Sequence, residues 1–151
     1  MSCMKKSTVI EIICCLLIFL FTYTGLSKLL NHELFHNQLI VFPLIKYAEP
    51  LLSWALPVTE LIVALLLFIQ KFRLAALYAT LVLLTAFTVY LIVIIVFGIS
   101  LPCSCGGIIQ YLSWKAHVVF NLFFIAVTVI GIVLQSNLNT NFFQISKFQS
   151  S

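Results

Sequence analysis

Cys103 and Cys105 are separated by one residue, with Pro102 before them and Gly106 and Gly107 after. A disulfide needs Cα atoms roughly 4.4–6.8 Å apart with converging Cβ vectors. An extended chain puts residues two apart near the upper limit of that range, and the proline and glycines supply the turn that brings them within reach. The ring closed would be very small and strained, and strained, exposed disulfides are labile or catalytic. So short a loop removes little chain entropy, which makes stabilisation a poor reason for the bond. Metal binding is the competing chemistry, but tetrahedral zinc takes four ligands. His117 is the only further candidate nearby, so no metal is expected. The pair favours redox exchange over metal binding, with an inert pair of loop cysteines as the remaining alternative.

Several polar residues fall where apolar ones are expected. Glu60 lies nine residues into an apolar run, about 13 Å at 1.5 Å per residue, and so near the centre of a bilayer. Trp54, Pro57, Glu60 and Ala64 share one helical face, so the break at the proline and the acid point the same way. His117, Asn121, Phe124 and Thr128 form a second stripe, in which Asn121 and Thr128 serve as hydrogen-bonding groups between helices. Lys28 ends another apolar run and can either snorkel to an interface or reach toward Glu60. Glu11, Cys15 and Thr22 share a face of that same run. Cys14 and Cys15 are expected to behave as small buried hydrophobes. An acid at midplane depth either fixes helix packing or relays protons and contacts a cofactor. His117 reads as a satisfied interfacial histidine, with a functional role as the alternative.

The elements that position these groups follow from composition. Of 151 residues, 63% are hydrophobic and 8% charged, against about 25% charged in a soluble domain, so lipid must be the main solvent. A bilayer core takes about 20 apolar residues per helix. Four runs reach that length: 8–27, 51–70, 74–98 and 116–134, an all-α four-transmembrane-helix bundle with a single domain over 8–134. Lys71 and Arg73 confine the second connection to a tight turn. Leu34, Phe35, Leu39 and Phe42 recur at helical spacing between the first two spans, which predicts a short amphipathic helix there. The Asn-, Gln- and Ser-rich stretch 135–151 reads as a disordered cytoplasmic tail.

Four spans put both termini on one side. Lys5, Lys6, Lys71, Arg73 and Lys147 then lie opposite Lys28, Lys46 and Lys115, and five against three favours cytoplasmic termini in an inner, cytoplasmic membrane. Cys103 and Cys105 would face the extracytoplasmic side, where disulfides persist. The net charge of +4 is small and scattered, which excludes a nucleic-acid partner.

Gly25-Leu-Ser-Lys28-Leu29, Pro57-Val-Thr-Glu60-Leu61 and Cys103-Ser-Cys105-Gly-Gly107 follow one another along the chain. In their order and spacing the chain resembles the MauE/DoxX-like redox-associated membrane proteins over about residues 9–134. Gly106 stands where members usually carry Phe, and Phe120 precedes Asn121 where they often carry Arg. The resemblance implies a DoxX-like bundle and thiol–disulfide chemistry at the membrane, with Cys103 and Cys105 catalytic and a thioredoxin-like periplasmic protein as counterpart. It also implies a link to methylamine utilisation, through maturation of methylamine dehydrogenase. Lys28, Glu60, His117 and Asn121 would line the interior beneath the thiols, in contact with protons or a quinone. Two other classes remain: a non-catalytic assembly factor or anchor for a periplasmic partner, and a small transporter subunit using the Glu60 face.

Overall fold

The computed structural model describes residues 2–40, 48–97 and 114–149. Their order is α1 (Ser2–Leu30), α2 (His32–Ile40), α3 (Glu49–Phe68), α4 (Arg73–Phe97) and α5 (Trp114–Gln149). Within lipid every backbone amide must find its partner inside its own segment, so apolar runs of this length fold as helices. Four are long and apolar enough to cross a membrane: Ser7–Leu30, Pro50–Phe68, Arg73–Phe97 and Lys115–Leu138. They match the four expected runs to within a few residues.

Local sequence sets the boundaries. Pro50 sits at the start of α3, where its missing amide proton costs nothing. Pro57 lies inside α3, which continues through it to Phe68. The α3–α4 connection is as tight as the charges predict. Ile69, Phe72 and Arg73 amides donate to the carbonyls of Leu66, Ile69 and Gln70, so α4 starts five residues after α3 ends. The expected amphipathic helix is α2, in which Phe35 and Leu39 are buried, while the side chain of Leu34 is outside those described. Phe42 lies outside the described residues.

α1 packs chiefly on α3 and α4 chiefly on α5, with α3 also against α4. At the end where α3 turns into α4, Ile10, Leu17, Leu67 and Leu77 form a core with Cys14, Val63 and Ile132. Gly131 permits that closeness, because a Cβ there would lie 3.2 Å from Ile13 Cγ2. A smaller cluster of Leu20, Phe21, Ala64 and Leu84 adjoins it toward the middle of the bundle. Outward faces stay apolar, as Phe19, Phe68, Val82 and Val96 show. Lipid is the solvent such faces require.

Three expectations change. α5 runs on as helix to Gln149, through the stretch expected to be disordered. No Pro or Gly follows Gly131, so nothing in the backbone stops it. Cys15 is exposed while Cys14 is buried. Glu11 and Thr22 also face outward, because α1 turns its bulky apolar residues Ile10, Ile13, Leu17 and Phe21 inward.

Candidate functional site

The two motifs that Gly25 and Pro57 begin are two sides of one contact. A Cβ on Gly25 would stand 3.2 Å from the Pro57 carbonyl oxygen and 3.2 Å from Leu61 Cγ, so only glycine lets α1 come this close to α3. One turn along α1, Lys28 is brought to Glu60, and its Nζ donates to Glu60 Oε1 in a buried ion pair. Lys28 is 3% exposed and Glu60 1%. Lys28 therefore reaches inward to the acid and does not snorkel. Its ammonium also faces aromatic rings, with Nζ 4.4 Å from the Phe87 centroid and 5.7 Å from that of Phe35. Such cation–π contacts help compensate a charge withdrawn from water.

Removing both charges from water costs several kcal/mol per ion, so the pair is no evidence of stability. An ammonium carries three N–H donors, of which one is given to Glu60. Glu60 Oε2 is buried with no hydrogen-bond partner. The pair is electrically neutral as a unit yet keeps donors and an acceptor in reserve.

That reserve borders a cavity of about 230 Å³. Lys28, Glu60, His117 and Asn121 all line it, so the structure brings together the four intramembrane residues marked by sequence. His117 and Asn121, each 6% exposed, enter from α5. Apart from Thr24, the rest of the wall is apolar and aromatic, with α2 contributing Phe35 and Leu39, and α4 contributing Phe87 and Tyr90. Phe87 and Tyr90 left no signal in the sequence, because α4 is apolar on nearly every side and offers no period to read. α4 and α5, the helices that bracket residues 98–113, both contribute to the cavity. Cys103, Cys105, Pro102, Gly106 and Gly107 lie outside the described residues.

Two stripe members differ from expectation. Thr128 donates to the Phe124 carbonyl of its own helix at 2.7 Å and does not bridge helices. Thr59, Thr85 and Thr88 do likewise, the usual way a threonine satisfies its hydroxyl inside a membrane helix. Trp54 is exposed at the edge of the Pro57–Glu60 face, where its ring meets His32 at 4.3 Å between centroids.

Four apolar spans enclosing a buried ion pair and a polar-edged cavity define a small multi-pass membrane protein of the all-α four-helix class. The family model for methylamine utilisation protein MauE matches residues 6–134, and the chain belongs to that family. No curated protein and no solved structure matches it.

Proposed function

We propose that this protein carries out thiol–disulfide exchange at the membrane through Cys103 and Cys105, with an extracytoplasmic, thioredoxin-like protein as partner. The name of its family supports a place in methylamine utilisation, where the exchange would serve the maturation of a disulfide-rich dehydrogenase. The observation that carries this reading is the cavity with its neutral ion pair, walled by the two helices that bracket the cysteine segment. Redox thiols next to a membrane need a nearby place where electrons and protons can be received, and a polar-edged cavity is such a place.

The step runs through a mixed disulfide. The thiolate of one cysteine attacks a sulfur of the partner's disulfide; that S–S bond breaks and the partner's second sulfur leaves as a thiolate. The other cysteine of the pair then attacks the mixed disulfide. The Cys103–Cys105 bond forms and the partner is released with both thiols reduced. In that direction two electrons pass from the pair to the partner. In the reverse direction the partner's thiolates attack the Cys103–Cys105 disulfide, the partner leaves oxidised and both cysteines are left as thiols. This is the direction that supplies electrons to an acceptor in the membrane.

Single variants test this, because removing the second thiol stalls the mixed disulfide. Membranes carrying Cys103→Ser or Cys105→Ser, quenched with an alkylating reagent, should show a reductant-sensitive adduct to a second protein. The double variant should show none. If neither single variant forms an adduct and the double variant still supports the partner's oxidation, the protein is an anchor and not a redox participant.

A further inference from the structure

We propose that the cavity lined by Lys28, Glu60 and Asn121 binds the ring of a lipid-soluble quinone, the two-electron acceptor for the cysteine pair. Binding follows from the cavity alone; the electron donor rests on the thiol-exchange reading above.

Size comes first. An apolar cavity of about 150 Å³ takes up benzene, and this one measures about 230 Å³, room for a single substituted ring. The wall chemistry then selects among lipid-soluble molecules. An alkyl chain would leave the Lys28 donors and Glu60 Oε2 without partners, at the full cost of burying them unpaired. A fatty-acid carboxylate would bring a third charge into a low-dielectric site where Glu60 already neutralises Lys28. A neutral ring with polar oxygens meets neither penalty. In the oxidised form its carbonyl oxygen accepts an N–H of Lys28. In the reduced form a ring hydroxyl donates to Glu60 Oε2, an atom the protein leaves unused. Asn121, on the α5 side, offers both a donor and an acceptor to the second oxygen. Phe35 and Phe87, already against the Lys28 ammonium, provide flat faces for stacking.

The balance is closed. The two S–H bonds of Cys103 and Cys105 break and one S–S bond forms. Two electrons and two protons pass to the two ring oxygens, giving the quinol. Within this chain, Lys28 and Glu60 can hold and replace a proton beside one of those oxygens.

Binding is measured by equilibrium dialysis of decylubiquinone against the full chain in nanodiscs freed of native quinone, with bound ligand extracted and quantified. The unaltered protein should bind one equivalent, and palmitate at equal concentration should not displace it. Lys28→Met should weaken binding of the oxidised form tenfold or more. Because that variant leaves Glu60 buried and alone, Leu56→Trp is the second test. It adds volume at the cavity wall with the ion pair intact, and should abolish binding. The Cys103→Ser/Cys105→Ser double variant should bind as the unaltered chain does. Equal binding in the unaltered and Leu56→Trp proteins, or displacement by palmitate, would overturn the proposal. Loss of binding with the mixed disulfide still formed would overturn this inference alone. Retained binding with no thiol exchange supports the site and counts only against the reading above.

Discussion

The two ends of this bundle are built from the same few apolar residue types and have different structures. Where α3 turns into α4, Leu17, Leu67 and Leu77 are wholly buried and Gly131 brings α5 hard against Ile13. At the other end the same four helices, with α2, surround a cavity of about 230 Å³ edged by a buried ion pair. Lipid tails are as apolar as leucine, so helices in a membrane gain little from hydrophobicity and are held by close packing. A cavity forfeits packing, and a buried pair must recover the cost of its desolvation. Both costs are gathered at one end. The tight end holds the fold, and the open end is free to carry a site.

The strongest way to break that contrast is to unpair the charges. Lys28→Met or Glu60→Leu should each destabilise the protein by about 3–5 kcal/mol, because each leaves a lone buried charge. The double variant should recover to within about 1 kcal/mol of the unaltered chain, or exceed it. Reversible unfolding in mixed micelles reads all three. Next in size, Leu17→Ala at the tight end should cost about 2 kcal/mol, mostly the packing lost around the void. Leu83→Ala, at the wall of an existing cavity, should cost less than half as much. Equal losses at the two positions would erase the distinction between the ends.

Gly25→Ala is subtler. Its new methyl would press on the Pro57 carbonyl, which is backbone and cannot swing away. A loss of about 1 kcal/mol is expected, together with separation of Lys28 from Glu60. Crosslinking between cysteines placed at Leu29 and Leu61 would report that separation. Thr80→Val should have the smallest effect. The Thr80 hydroxyl is buried with no partner, so an isosteric apolar replacement should be neutral or stabilising by up to about 1 kcal/mol.

Much of this was legible in the sequence, for reasons that can be named. The four spans were readable because lipid demands about 20 apolar residues per crossing and tolerates few alternatives. Lys28, Glu60, His117 and Asn121 were readable because a polar group at membrane depth stands out. The sequence left open whether Lys28 would reach Glu60, and Gly25 against Pro57 is the packing that decides it. Glu11, Cys15 and Thr22 show the limit. Polarity marked them as a stripe, yet large apolar side chains on the neighbouring face determined which side of α1 turns inward. The aromatic wall on α4 was invisible, since a helix greasy all round does not announce which residues face a cavity. The stretch after Leu134 has the composition of a disordered tail, but without Pro or Gly the helix continues.

The most direct measurement is the alkylation state of Cys103 and Cys105, followed peptide by peptide in nanodiscs, before and after addition of oxidised decylubiquinone. The proposed transfer from the thiols to a quinone in the cavity predicts that both thiols lose their label in the unaltered protein and that Leu56→Trp keeps both labels. Identical labelling in the two proteins, whether both oxidised or both untouched, would contradict it.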